Sequence, residues 1–333
     1  MKDKKIKSAL ISVYHKDGLE NIALKLHALG IKLFSTGGTY DFLKGLGVEV
    51  EAVESLTSYP SILGGRVKTL HPRIFGGILA RRDNNSDTEQ MKQYQIPEID
   101  LVIVDLYPFS ETVRQGATDQ EIIEKIDIGG VSLIRAGAKN FNDVLVVAGS
   151  HLYGELLRIL NEKGGFVSSE ERKHFAADAF RITSGYDIDI FNYFNRSENI
   201  NSLRISVDRH MPLRYGENPH QKAVFYGDPS EMFEQLNGKE VSYNNLLDID
   251  AALSYISGLE MPSMVIIKHN NACGMACDES LTRAWTKALA GDPVSAFGGI
   301  IAANRTIDRA TAVEINGSFF EVIIAPGLDA ASL

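Results

Sequence analysis

KSALISVYHKDGLENIALKLHALGIKLFSTGGTYDFLKGLGVEVEAV, residues 7–53, decides the fold class. Lys7–Tyr14 (KSALISVY) is a short apolar run with the character of a buried strand. After HKDG, the segment LENIALKLHALG places Leu19, Ile22, Ala23, Leu26 and Leu29 at helical spacing, and Gly30 is a natural stop. IKLF reads as a second strand, running through STGGT into a helical YDFLKGLG, with a third strand near VEVEAV. Strand, helix, strand, helix, strand at such short intervals predicts a parallel α/β sheet. In open sheets of this kind ligands gather where strands end and helices begin. Ser12 and Lys16 fall at the first such end and Ser35–Thr39 at the second, where helix starts offer N–H groups and a favourable dipole to phosphate. No G-x-G-x-x-G follows the first strand and no G-x-x-x-x-G-K-[ST] occurs, which argues against a dinucleotide fold or a P-loop NTPase. Gly37-Gly38 alone marks a plain turn as readily as a ligand loop.

Further on lies GGRVKTLHPRIFGGILARR, Gly64–Arg82, with Arg66, Lys68, Arg73, Arg81 and Arg82 in one run. Its glycine pair allows the backbone close to a ligand. Arg66 and Lys68 can grip one anion if the segment is extended, because i and i+2 then share a face. The same run also reads as a solvated basic loop. The background sharpens it, since the 333-residue chain carries a net charge of −9 with its charges dispersed. That balance speaks against general binding to nucleic acid or acidic membranes and leaves local cationic clusters for small anions. With 44% hydrophobic and 23% charged residues, about two globular domains are expected. Cys273 and Cys277 are the only cysteines, which excludes a disulfide framework and argues against a structural zinc site. MKDKKIKSALISVY lacks the apolar core of a signal peptide and no run has membrane-spanning length, so a cytoplasmic setting is expected.

The remaining segments continue the pattern. IDLVIVDLYPF, Ile99–Phe109, reads as an apolar strand ending at Asp105 and Tyr107. A tyrosine there commonly packs on the core with a wet hydroxyl. EKIDIGGVSLIRAGAKNF sets Asp127 before a glycine pair and an amphipathic helix, with Lys139 and Asn140 after it; locally Asp127 reads as a helix cap. DVLVVAG is a strand, HLYGELLRILNEKG a helix, and SSEERKHFAADAFRITSGYDIDIFNYF one or two helices. RSENINSLRISV, residues 196–207, reads as the connection between domains. A second α/β unit follows near PLRYGENPHQKAVFYG, with a helix in VSYNNLLDIDAALSYISGL, a strand SMVIIKHNN, a helix DESLTRAWTKALAG, a turn DPVSAFGGIIAAN and a strand FFEVIIAPG.

Taken in order, SVYHKDG, STGGT, SYPSILGGRVKTLHPRIFGGILARR, DLVIVDLYPF and EKIDIGGVSLIRAGAKN closely resemble the N-terminal half of the phosphoribosylaminoimidazolecarboxamide formyltransferase / IMP cyclohydrolase family of bifunctional purine biosynthesis proteins. LRYGENPHQ, SYNNLLD, VIIKHNNACG, DPVSAFGGI and EVIIAPG look like the start of its formyltransferase part, so the resemblance covers essentially the whole chain. It implies a methylglyoxal-synthase-like parallel-sheet domain at residues 1–198, followed at 199–333 by the first half of a duplicated cytidine-deaminase-like formyltransferase domain. The implied chemistry is the last two steps of purine biosynthesis. A formyl group passes from the cosubstrate 10-formyltetrahydrofolate to aminoimidazolecarboxamide ribotide (AICAR), and the formamido product (FAICAR) then closes to inosine monophosphate (IMP) with loss of water. No metal or redox cofactor is expected, and the deaminase signature H-x-E with P-C-x-x-C is absent.

The matching positions imply roles. Ser12, Lys16, Thr36, Gly38, Thr39, Arg66 and Thr69 would hold the phosphate and ribose; Lys68 would stabilise charge at the formyl oxygen; Tyr107, Asp127 and Lys139 would surround the amide and move protons. In the second part His269 would accept a proton with Lys268 as its electrostatic partner, while Arg214, Tyr215, Asn245, Phe297 and Gly298 would embrace the ribotide. Read without the resemblance, a lone histidine after an apolar strand is more often structural. Two departures stand out: Asp105 where many relatives have Asn, a change at a ligand contact, and YHKDG where many read SDKTG. Family members continue beyond EVIIAPGLDAASL, so the expectation is a competent cyclohydrolase joined to an incomplete formyltransferase, with exposed apolar surface. The family's homodimer is implied, with ribotides and folate as partners and neither nucleic acid nor membrane. Two other readings are a non-catalytic phosphate- or nucleotide-sensing methylglyoxal-synthase-like module and methylglyoxal synthase itself. A sensor has no need of Lys68, Tyr107, Asp127 and Lys139 together.

Overall fold

The structure, a computed structural model, describes residues 3–329, and the chain divides into two compact units between Ser206 and Val207. In the first, a five-stranded sheet contains β1 (Ser8–Ser12), β2 (Lys32–Ser35), β3 (Glu51–Ala52), β4 (Leu101–Val104) and β5 (Leu145–Val147) in the order β3-β2-β1-β4-β5. Every pairing is parallel. Its helices include α1 (Leu19–Ala28), α2 (Gly37–Gly45), α3 (Pro72–Leu79), α4 (Gly129–Lys139), α5 (Tyr153–Glu162) and α6 (Ser169–Glu198), along with Asn85–Gln93 and shorter helical segments.

The apolar runs are continuous because the sheet is covered on both faces. Ala9, Ile11, Leu33, Leu101, Ile103, Leu145 and Val147 point to one side, into a core with Leu19, Ile22, Leu26, Leu156 and Phe175. Leu10, Phe34, Val102, Val104 and Val146 point to the other, into a core with Ile74, Ile78, Leu133 and Ile134. The strands in the sequence come out shorter than their apolar runs; β4 ends at Val104, leaving Asp105 and Tyr107 on the loop beyond it.

SSEERKHFAADAFRITSGYDIDIFNYF forms one helix, α6, started by a capping box between Ser168 and Glu171. The first unit extends past the 198/199 boundary expected from the sequence because the segment after α6 folds back along it. The Ile200 N–H donates to Asn195 Oδ1 (2.6 Å), Asn192 Nδ2 donates to the Arg204 carbonyl (3.4 Å), and Ser206 packs over Gly185.

The second unit holds α7 (Tyr243–Ile256), β6 (Ser263–Lys268), β7 (Asn271–Cys277), α8 (Leu281–Leu289), β8 (Gly299–Ala303), α9 (Arg309–Ile315) and β9 (Phe320–Ile324). Its sheet runs β7-β6-β8-β9, antiparallel except for the β8–β9 pair. Met264 and Ile266 pack with Trp285 and Ile301 on one face, Val265 and Ile267 with Ala252, Ile256 and Ala302 on the other. Two segments differ from the sequence reading. Gly299–Ala303, taken as part of a turn, is a fully buried strand. Its Gly299 serves a close approach, since a Cβ there would stand 2.9 Å from the Ile267 carbonyl. Asn271–Cys277, given no element of its own between SMVIIKHNN and DESLTRAWTKALAG in the sequence, is itself an edge strand, and Gly274 lets it lie against α8.

One buried polar group ties the first unit together. The Arg172 side chain, 1% exposed, donates to the carbonyls of Phe141 (2.8 Å), Asn142 (3.1 Å) and Val167. Arg172→Leu would leave those acceptors unanswered, at a cost of about 3 kcal/mol or more. Its urea midpoint is expected to fall well below that of the parent; an unchanged midpoint would show that these bonds contribute nothing net.

Candidate active site

In the order β3-β2-β1-β4-β5 the direction of chain progression reverses between β1 and β4, and loops leaving that point open a crevice. The two loops concerned are knitted together by Asp105. Its carboxylate accepts from the main-chain N–H of Tyr14 and of His15 (3.0 Å) and from His15 Nδ1 (3.0 Å). Asp105, expected at a ligand contact, thus braces the β1 loop. Lys16 does the same from within, donating to the carbonyls of Val13 (2.7 Å) and Tyr14 (2.8 Å). Thr39 joins the β2 loop to it: its Oγ1 donates to the Val13 carbonyl (2.9 Å) and accepts from the Val13 N–H (3.1 Å). Ser12 ends β1, half-buried.

The start of α2 is built for an anion. Thr36 stands at its cap without a side-chain cap bond, so the first-turn N–H groups lack intrahelical partners. The Thr36 hydroxyl is spent on Glu54 Oε1 (2.8 Å). Gly37, at φ 55°, brings the backbone close to Lys68, whose Nζ lies 3.1 Å from where a Cβ would be; Gly38 faces open space. Lys68 has no hydrogen-bond or ion-pair partner among the described residues.

The stretch from Gly64 behaves differently from its expectation. Leu63, Gly64 and Gly65 all have positive φ and coil the segment into turns through Thr69, so Arg66 and Lys68 do not share the face of an extended strand. Arg66 is exposed and paired with Glu124, while Lys68 faces α2. Arg81 pairs with Asp87 (2.8 Å) and Arg82 with buried Asp100, so the cationic run does not form one patch. Thr69 is buried against Gly129 at the start of α4.

Asp127 completes the cluster. Its Oδ1 accepts from the Gly130 N–H (2.6 Å), which fits the cap reading, and a Cβ at Gly130 would lie 2.5 Å from Oδ2 and displace the carboxylate. Burial pushes this carboxyl above its ordinary range; the N–H groups of Gly130 and Tyr107 pull it back, Asp105 raises it and Lys68 lowers it. Burial also raises the Tyr107 phenol, with Asp127 raising it further and Lys125 opposing. Tyr107 packs edge-to-face on Tyr14 with ring centroids 5.4 Å apart. Lys68, Tyr107 and Asp127 therefore share one electrostatic neighbourhood. Lys139 does not join them: it ends α4, ten residues from Gly129 and so roughly 15 Å along the axis. There it lines a separate hollow with Phe75, Leu79, Arg135 and Phe180. Tyr14 and Lys125 were not singled out from the sequence; Lys125 stands two residues before Asp127 in EKIDIGG, the one available signal.

In the second unit Lys268 ends β6 and donates to the Phe297 carbonyl (2.6 Å). Lys268 pairs with Asn271, so His269 and Asn270 form a two-residue hairpin loop, both left-handed at φ 51° and 62° as a type I′ turn requires. Asp248 of α7 secures the loop by accepting from the Asn270 N–H (2.6 Å). The exposed His269 imidazole has no partner among the described residues. Gly298, at φ 74°, donates to the Phe319 carbonyl (2.8 Å), and the Phe297 and Phe319 rings lie 5.2 Å apart. Asn245 is buried in a capping box with Ser242 and donates to Glu321 Oε2 (3.0 Å). Arg214 lies over the Tyr215 ring (4.8 Å), and the Tyr215 carbonyl accepts from the Tyr243 N–H at the start of α7. Cys273 is raised by burial and by Asp292, and Cys277 is exposed.

The chain as a whole has counterparts among known proteins. The MGS-like domain profile matches residues 18–132 and the AICARFT/IMPCHase bienzyme profile residues 137–333. The chain belongs to the AICARFT/IMPCHase bienzyme family. A Bifunctional purine biosynthesis protein PurH from Bacteroides thetaiotaomicron is 58% identical over 330 residues, covering 99% of this chain and 65% of the relative. The PurH of Rhodopirellula baltica is 48% identical over 341 residues, covering 98% and 65%. A solved chain described as "Crystal structure of ForH" is 37% identical with a TM-score of 0.50, covering 57% of this chain and 97% of its own. The chain thus spans about two thirds of the length of these PurH relatives.

Asp127 gives a test that is independent of any reaction. Its folded-state pKa is raised, so its contribution to stability is present at low pH and lost as pH rises through the folded value. Asp127→Asn carries no such penalty and can still accept from Gly130. The variant should be more stable than the parent at pH 7 and lose that advantage toward pH 4, followed by thermal unfolding. A variant less stable than the parent at pH 7 but not toward pH 4 would show that the carboxylate is a favourable cap and not a strained one.

Proposed function

We propose that the first unit closes the purine ring, converting FAICAR to IMP, and that the second unit carries residues of the formyl transfer from 10-formyltetrahydrofolate to AICAR. Family membership supports the reaction pair. The observation that carries the assignment of ring closure is the unpartnered Lys68 ammonium beside the bare N-terminus of α2 and within the field of Asp127.

Ring closure is intramolecular. The carboxamide nitrogen bonds to the formyl carbon of its neighbour, the formyl oxygen becomes an oxyanion, and it leaves as water after taking up protons. The protein has to align two groups on one ring and meet the developing charge. The free N–H groups of α2 hold the ribotide phosphate, helped by Lys16, whose ammonium keeps one donor beyond its two carbonyl bonds. Thr36 and Thr39 shape this loop through their protein partners, and Ser12 and Thr69 border it. Lys68 stabilises the oxyanion. Asp127, whose burial makes its carboxylate a stronger base than an exposed one, takes the amide proton, and Tyr107 relays it. Arg66 reaches phosphate by exchanging Glu124 for it.

For the transfer, the AICAR amine is a weak nucleophile that needs a base as the new bond forms. His269 is that base, with Lys268 beside it and Arg214, Tyr215, Asn245, Phe297 and Gly298 around the ribotide. A cytoplasmic enzyme acting as a homodimer on ribotides and folate is the corresponding setting.

Two assays on the purified chain test this: IMP formation from FAICAR, and tetrahydrofolate release from 10-formyltetrahydrofolate plus AICAR. Lys68→Ala should lower kcat for ring closure by about 100-fold or more with little change in KM, as expected for a group that meets developing charge. Arg66→Ala should mainly raise KM. His269→Ala should abolish transfer and spare ring closure. A folded chain that binds ribotides and turns over neither substrate would overturn the proposal in favour of a phosphate-sensing module.

A further inference from the structure

Lys125 lies over two aromatic rings at once. Its Nζ is 5.0 Å from the Tyr14 centroid and 5.9 Å from the Tyr107 centroid, and it donates to Tyr14 Oη at 3.4 Å. We infer that Lys125, seated on Tyr14, is a positioning residue that holds the Tyr107 phenol in place beside Asp127. The inference rests on the ring-closure reading and adds two residues to it.

The backbone segments that carry Lys125 and Tyr14 are held from outside this contact. The loop carrying Lys125 is pinned by Tyr186 of α6, whose hydroxyl donates to the Lys125 carbonyl (2.6 Å) and accepts from the Asp127 N–H (2.8 Å). Lys125 and Asp127 are thus presented from one short, rigid segment. Tyr14 is held from the other side, its N–H donating to Asp105 and its ring edge-to-face with His15 at 4.9 Å. His15 is in turn bound to Asp105 through Nδ1. Tyr14 and Tyr107 are both partly exposed, and an exposed tyrosine pair on two different loops has freedom to splay. A cation placed across both faces removes that freedom, because the ring quadrupoles attract it from either side.

The arrangement has an electrostatic consequence. The groups facing the Tyr107 phenol are Lys125 and Asp127 from the loop before α4, Tyr14 with His15 and Asp105 behind it, and Tyr186 from α6. Lys125 is the cation among them that favours the phenolate, while Asp127 and Tyr14 oppose it. Removing the ammonium frees the ring and makes its proton harder to lose. A purely structural contact would do neither selectively.

The test combines tyrosine 13Cζ NMR on the substrate-free chain, with Tyr107 assigned by Tyr107→Phe, and steady-state ring closure. In Lys125→Met the Tyr107 pKa should rise, and kcat should fall on the order of tenfold with KM little changed. Lys125→Arg, which keeps a cation over the rings, should restore both. Tyr14→Ala should reproduce the loss by removing the platform. An unmoved Tyr107 titration in Lys125→Met, or a moved one with unchanged kcat, overturns the inference while leaving the ring-closure reading intact. If the parent chain closes no ring, the functional reading falls, and the Tyr107 titration alone decides whether Lys125 governs that phenol.

Discussion

Parallel pairing of β1 with both β2 and β4 is the constraint on which the first unit depends. Parallel strands cannot be joined by hairpins, so each crossover passes through a covering helix, and every strand exits on the same edge of the sheet. The strands are then buried on both faces and carry no chemistry of their own. Most of the candidate side chains sit on the loops beyond them, with Ser12 at the end of β1 and Thr39 in the first turn of α2, and the loops after β1, β2 and β4 meet because those strands are neighbours. The segments at 62–71 and 124–130 are brought to the same edge by Lys68 against Gly37 and Thr69 against Gly129. A rigid double core therefore fixes five otherwise unrelated loop segments.

On that edge the charges are matched with one exception. Arg66 answers Glu124, Lys125 answers two aromatic faces, Lys16 answers carbonyls, and Asp105 answers three N–H donors. Lys68 is the cation left for a ligand. Asp127 is caught between burial, which favours its neutral form, and two N–H donors, which favour its charge. Such a carboxyl holds its proton more tightly than an exposed aspartate, whereas one fully answered by cations would release it more readily. A protein of net charge −9 can still recognise a phosphate because field strength at a helix start and one close ammonium matter more than the distant total.

Much of this was legible in the sequence. The periodicity of residues 7–53 sufficed for a parallel α/β sheet, and strand-exit positions pointed to Ser12, Lys16, Ser35–Thr39, Asp105 and Tyr107. What was hidden was of three kinds. Backbone handedness decided the Gly64 stretch: left-handed Leu63 cannot be read from a leucine, yet it turns an extended grip into a coil. Helix length decided Lys139, which a motif places beside Asp127 in sequence but α4 carries to its other end. Long-range pairing decided Tyr14 and Lys125, which are far apart in the chain and meet only because β1 neighbours β4. In the second unit, β7 was missed because an edge strand facing solvent has no apolar alternation, and β8 because its glycines resemble a turn.

The second unit reaches a comparable end by different means. Its antiparallel β6–β7 pair is closed by a loop of only two residues, and such a tight turn demands left-handed backbone at both. Asn270 tolerates that conformation well, and histidine is also among the residues enriched there. The turn is held because β6 is buried on both faces, Asp248 accepts from the Asn270 N–H, and Lys268 is tied to the Phe297 carbonyl. With its neighbours so fixed, the imidazole is displayed at the tip without a partner of its own. The accessibility that this leaves the ring is what the proposed role of His269 as a base would use.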